Sequence, residues 1–119
     1  MGLLWEHLLL NEIHAWFQLR QVHYWRDKVG HEVDFALIFR GLSLVVIECK
    51  WSTDSFEPRN VLAFSRRYPE ATFYVVAADV KRAYSKRYKN LSIRFVSLPG
   101  LTSELKEKTK ALGRQREQK

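Results

Sequence analysis

The order of element types along this chain predicts an α/β fold, a mixed sheet with helices on its flanks. Three observations carry that reading. A leucine-rich stretch without Gly or Pro opens the chain, three β-rich runs then follow one another with short links, and a helical segment separates them from a further β-rich run. Strand, helix, strand within one sheet implies a crossover and parallel pairing of the flanking strands.

From Leu3 to about Leu19 the pattern is that of a helix of four to five turns. At about 100° per residue, His7, Asn11, His14 and Gln18 form one polar stripe facing solvent. Glu6 falls instead amid an apolar arc of Leu3, Leu9, Leu10, Ile13 and Phe17, so it is the carboxylate this helix turns inward; Glu12 sits at an edge. Val22 to Arg26 and Glu32 to Phe39 read as two strands around a turn that uses Gly30, and Arg40-Gly41 turns into Leu42 to Trp51. These three form an antiparallel meander. The third is almost continuously apolar, the mark of a central strand covered on both faces.

Thr53, Asp54 and Ser55 offer helix N-caps, and Pro58 suits the first turn of a helix reaching about Arg67, before Pro69. Ala71 to Ala78 is the next strand. A basic segment, Val80 to Tyr88, reads as helical, and Leu91 to Leu98 gives a fifth strand. Pro99-Gly100 then closes the compact region, which sets a domain at residues 1–101 and a charged helix or tail at 102–119.

At 119 residues the chain fits one domain, and 46% hydrophobic with 13% aromatic residues agrees with a folded protein. No run of about 18 apolar residues appears, so no membrane span is expected. The opening, Met1-Gly2-Leu3-Leu4-Trp5-Glu6, lacks a basic n-region, and the expected location is cytoplasmic. The single cysteine, Cys49, allows neither an internal disulfide nor a structural zinc site. A net charge of +7 suits a nucleic-acid phosphate backbone. Arg59, Arg66 and Arg67 and the cluster Lys81, Arg82, Lys86, Arg87 and Lys89 are the candidate phosphate contacts, with Arg94 close by.

The chemistry-bearing residues are Asp34 and the pair Glu48 and Lys50. Side chains on a strand alternate faces, so Glu48 and Lys50 share one, and Asp34 joins them from the neighbouring strand. Charges buried without partners cost several kcal/mol. A divalent cation between Asp34 and Glu48, with Lys50 beside the water it activates, is the simplest occupant.

The succession of a helix with an inward Glu6, a hairpin ending in Asp34, Glu48-Cys49-Lys50 on the next strand, then a helix and a strand resembles the PD-(D/E)XK nuclease superfamily. That resemblance implies a restriction-endonuclease-like α-β-β-β-α-β core. Asp34 and Glu48 then match the metal-binding acids, Lys50 the catalytic lysine, and Glu6 the helix glutamate of some branches, among them the archaeal Holliday-junction resolvases. No proline precedes Asp34, a common departure. Trp5-Glu6, Tyr24-Trp25-Arg26, Gly30-His31-Glu32-Val33-Asp34-Phe35 and Ile47-Glu48-Cys49-Lys50-Trp51-Ser52 are closer still to the C-terminal domain of unknown function of prokaryotic AAA-type ATPases. The likeness spans about residues 2 to 79. The chain has no Gly-x-x-x-x-Gly-Lys-Ser/Thr loop, which makes it a free-standing relative or the detached end of such an ATPase.

The expected function is Mg²⁺- or Mn²⁺-dependent hydrolysis of DNA phosphodiesters, endonuclease or resolvase-like. Asp34, Glu48 and the Cys49 carbonyl hold the ion, Lys50 orients water or stabilises developing charge, and Glu6 completes the site. DNA is the expected partner, with a homodimer and an ATPase as further ones. The competing readings are a non-catalytic module that binds nucleic acid or a partner, and an idle truncated domain. At the level of single residues, Glu48 and Lys50 can form a plain ion pair, Glu6 a helix-end salt bridge, His31 a solvated turn residue, and the basic groups a solvated face. Trp5, Trp16, Trp25 and Trp51 read as core rather than stacking platforms, although Trp51 and Ser52 lie close enough to the site to touch substrate.

Overall fold

The computed structural model describes residues 8, 9, 11, 19–26, 32–39 and 44–117, with side chains described at 8, 9, 11, 36–38 and 44–108. Its centre is a six-stranded mixed sheet of order β1-β2-β3-β4-β6-β5. The strands are β1 (Leu19–Arg26), β2 (Glu32–Phe39), β3 (Val45–Lys50), β4 (Thr72–Ala77), β5 (Tyr84–Tyr88) and β6 (Leu91–Val96). The expected meander is present, β1 and β3 each pairing antiparallel with β2. The crossover through α1 (Arg59–Arg67) makes β3 and β4 parallel, and β4 and β6 are parallel as well.

Period two sorts the core into two layers. Val45, Ile47 and Cys49 of β3 pack with Leu37, Tyr74, Val76 and Val96 under Leu9, Leu101 and Leu105. Val46 packs on the opposite face with Phe73, Val75, Phe95 and Ile93 under Val61 and Phe64 of α1. Strand β3 is buried along both faces, as its apolar run implies. Its cysteine belongs to the first layer, so Glu48 and Lys50, of opposite parity, share the α1 face.

Four expectations are corrected. The segment read as helical, Val80 to Tyr88, contains strand β5, because Tyr84 stacks on Phe95 with centroids 4.9 Å apart and Tyr88 meets Phe56 edge-on at 5.9 Å. Tyr84, Lys86 and Tyr88 thus obey a period of two, and the sheet gains an edge strand joined to β6 through Lys89 and Asn90 alone. Thr53–Ser55 form a 3₁₀ turn of their own, capped by Ser52, whose Oγ accepts from the Asp54 N–H at 3.2 Å; Pro58 is the N-cap of α1 and makes no side-chain cap bond. The first strand also starts earlier than expected, β1 beginning at Leu19 instead of Val22.

The fourth correction concerns Pro99-Gly100, which lies in the first turn of α2 (Leu98–Glu117) instead of closing the compact region. Ser97 caps this helix: its Oγ accepts from the Gly100 N–H at 3.1 Å, and its carbonyl accepts from the Leu101 N–H at 2.9 Å. A Cβ at position 100 would come within 3.1 Å of that same Ser97 Oγ, so glycine keeps the cap open. Proline is tolerated here because first-turn amides have no intrahelical partner.

Of the opening helix, Leu8, Leu9 and Asn11 are described and helical; Leu9 is buried, and Asn11, from the polar stripe, is exposed. No helix among the described residues is long and apolar enough to cross a membrane.

Candidate functional site

A single charged side chain is buried among the described residues, and it is Glu48, 5% exposed. Its neighbours along β3, Ile47 and Cys49, are fully buried. Lys50, two residues on and half-buried, shares its face where β3 ends. Phe35, Ala36 and Leu37 of β2 pair with Ile47, Val46 and Val45. Asp34 is the next residue of β2 beyond this paired stretch. The Asp34 side chain and the whole of Glu6 lie outside the described residues, as do His7, His14 and His31. Among the described residues no group of three or more His, Cys, Asp or Glu side chains is placed to hold a metal.

The sheet continues the row. Glu48 pairs with Val75, Val75 with Phe95, and Phe95 with Tyr84, while Lys50 pairs with Ala77. Glu48 and Lys50 therefore sit toward the carboxyl ends of the parallel strands, where open α/β sheets place their ligands. Trp51 follows at once and is 55% exposed, which corrects the expectation that it belongs to the core.

This edge is braced by Asp79, a residue the sequence reading passed over. Its carboxylate accepts from the Thr53 N–H at 3.0 and 3.1 Å, from Thr53 Oγ1 at 3.1 Å and from Ser52 Oγ at 3.2 Å. The loop that leaves β3 is thereby tied to the loop that leaves β4, fixing the chain directly after Lys50 and Trp51. The available signal was an acid two residues past the end of the strand parallel to the Glu48–Lys50 strand.

The basic residues separate into groups. Lys81, Arg82, Lys86 and Arg87 are exposed in and before β5, with Lys86 Nζ lying 5.3 Å from the centroid of the Tyr88 ring. Arg67 is exposed at the end of α1. Arg59, Arg66 and Lys89, also exposed, line a groove of about 770 Å³ between α1 and the β5–β6 turn. Arg94 leaves the cationic set: its Nε donates to Glu104 at 3.0 and 3.1 Å, and its Nη1 donates to Ser85 Oγ at 3.2 Å.

Fold and site together define a mixed α/β layered protein with a buried acid and a nearby lysine at the carboxyl edge of its sheet. The chain belongs to the family described as Domain of unknown function (DUF4143), whose model matches residues 1–99. Domains of this family are often found at the C-termini of AAA-type ATPases. No curated protein and no solved structure matches the chain.

Proposed function

We propose that this domain is a metal-dependent nuclease of the PD-(D/E)XK kind, hydrolysing DNA phosphodiester bonds in the manner of an endonuclease or junction resolvase. The observation that supports it most is Glu48, buried in an apolar strand two residues before Lys50 on one face.

The donor set suits the group this reading requires. Carboxylate and carbonyl oxygens are hard ligands that favour Mg²⁺ or Mn²⁺ over zinc. Asp34, Glu48 and the Cys49 carbonyl would hold the ion, and Glu6 would complete the site. When bound, such an ion lowers the pKa of its water and neutralises charge on phosphoryl oxygens. The chain's own contribution is positional. Lys50 holds an ammonium where negative charge builds on the phosphoryl group, and the apolar layer around Glu48 keeps bulk water from weakening that attraction. Asp79 fixes the loop after Lys50, while Lys81, Arg82, Lys86, Arg87 and Arg67 offer phosphate contacts that place a backbone without reading its sequence.

Incubation of the full chain with supercoiled and four-way-junction DNA in Mg²⁺ or Mn²⁺ tests this proposal. The wild type is expected to cut, whereas Asp34→Asn, Glu48→Gln and Lys50→Met are expected to lose at least about a hundredfold in rate, the loss typical of removing one electrostatic catalytic group, while still retarding DNA in a gel. Retardation without cutting by the wild type would replace the enzyme with a non-catalytic DNA-binding module. Absence of both would remove DNA as the substrate.

A further inference from the structure

We propose that the DNA reaching the carboxyl edge of the sheet is single-stranded, and that Tyr84 is the platform on which one of its bases stacks. This deepens the nuclease reading and rests on it for the place of cutting. Glu48, Val75, Phe95 and Tyr84 are partners in turn across β3, β4, β6 and β5, and direct cross-strand partners share a face of the sheet. Tyr84 therefore stands on the face of Glu48, three strands away. At about 4.8 Å per strand that is about 14 Å. Four nucleotides at the stacked spacing of about 3.4 Å cover the same length.

The ring of Tyr84 is supported from within and exposed to solvent. It lies against Phe95 with centroids 4.9 Å apart and planes 4° apart. Phe95 is buried, and Phe56 meets it edge-on at 5.5 Å, so the support is itself fixed. Tyr84 is nonetheless 41% exposed, on the outermost strand of the sheet. An aromatic ring held in this way offers surface to a further planar group.

Cations flank the ring on both sides. Lys81 and Arg82 precede it in the loop leaving β4, both exposed and neither in an ion pair among the described residues. The acid nearest to them in sequence, Asp79, is held by Ser52 and Thr53. From Val80 to Ser103 the chain carries no acid at all. Lys86, two residues beyond Tyr84 and so on its face, reaches over the Tyr88 ring with Nζ 5.3 Å from the centroid. An aromatic ring between cations is the arrangement that grips a single strand, phosphates by charge and bases by stacking. Protection of an edge strand against pairing explains Lys86 and Arg87, but not Lys81 and Arg82, which come before the strand. A duplex would use the cations alone, because its bases are stacked on one another and closed to the ring.

The test is fluorescence anisotropy on the full-length chain with divalent ions chelated, so that binding is read without cutting. The probes are a labelled oligothymidylate of about 12 nucleotides and a duplex of the same length. The single strand is expected to bind more tightly. Tyr84→Leu is expected to weaken single-strand binding by about tenfold and duplex binding by less than about twofold. Tyr84→Phe keeps the stack on Phe95 and is expected to stay within about twofold of the wild type, and Tyr84→Trp, with its wider ring, to bind the single strand at least as tightly. Lys81→Gln and Arg82→Gln are each expected to lower the slope of log affinity against log salt by about 0.7 on the single strand. Urea midpoints of every variant separate lost binding from lost folding. Tighter binding of the duplex, equal losses on both probes in Tyr84→Leu, or undiminished single-strand affinity of that variant would each overturn the proposal. Cleavage of both probes in Mg²⁺, run in parallel, keeps the two readings apart. A wild type that prefers the single strand but cuts neither probe loses the nuclease reading and keeps the platform, whereas one that cuts DNA and binds it equally well with Tyr84→Leu loses the platform alone.

Discussion

Asp79 shows how one side chain can hold a site without taking part in its chemistry. Three donors from Ser52 and Thr53 converge on its carboxylate. Hydrogen bonds to a charged group contribute about 1.5–3 kcal/mol each where water is excluded, and less at an exposed edge such as this. Asp79→Ala is therefore expected to cost about 1–2 kcal/mol in urea unfolding. Asp79→Asn should retain part of that stability, because its amide oxygen still accepts from Thr53. An unchanged midpoint for the alanine variant would show that the brace contributes nothing. Asp79 was not legible in the sequence, since its partners lie 26 and 27 residues away and are brought to it by parallel pairing of β3 with β4. Glu48 and Lys50 were legible for the opposite reason: charges that interrupt a buried apolar run are visible without any tertiary information. Trp51 was misread because the run of buried positions ends just before it.

Among the elements, the β5–β6 hairpin was the least visible in the sequence. Tyr84-Ser85-Lys86-Arg87-Tyr88 carries little of the β-branched signature, and its strand character comes from β6 beside it and from the stacking of Tyr84 on Phe95. Helix α1, by contrast, was legible because Pro58 and Pro69 bracket a stretch whose apolar positions Val61 and Phe64 recur at helical spacing. The hairpin also stores a testable cost. A side chain in the left-handed region is disfavoured by about 1–2 kcal/mol, and part of any gain from glycine is returned through the greater freedom of its unfolded chain. Lys89→Gly is accordingly expected to stabilise the protein by about 0.5–1 kcal/mol, read as a rise in urea midpoint at constant slope. Lys89→Ala keeps the strain and removes the charge, so it is expected to leave the midpoint nearly where it was. A gain of the same size in the alanine variant would assign the effect to relief of charge repulsion instead of backbone strain.

For the molecule as a whole, the decisive feature is that one of the two core layers is closed by the end of the chain. The family match stops at residue 99, yet α2 begins at Leu98 and buries Leu101 and Leu105 completely against the layer that contains Ile47, Cys49, Tyr74 and Val76. Its later sequence, charged and low in large apolar residues, concealed this, because two leucines four residues apart are a weak signal beside so many Lys, Glu and Arg. Burying a leucine contributes about 1.5–3 kcal/mol, so the pair supplies about 3–6 kcal/mol, a large share of the 5–15 kcal/mol that holds a typical domain together. The Arg94–Glu104 pair adds less, since both side chains are partly exposed, 37% and 28%, and such pairs contribute at most about 1 kcal/mol. Leu105→Ala is expected to cost about 2–4 kcal/mol, and Glu104→Ala under about 1 kcal/mol. A chain ended after Ser97 should lose its cooperative urea transition and bind the dye ANS, because Tyr74, Val76 and Val96 would then face water. If that shortened chain instead unfolds sharply near the full-length midpoint without binding dye, α2 is dispensable and residues 1–97 close their own core. The two single substitutions guard the interpretation. A layer sealed by apolar contact responds to the leucine and barely to the glutamate, whereas a helix held on by its charges would reverse that order.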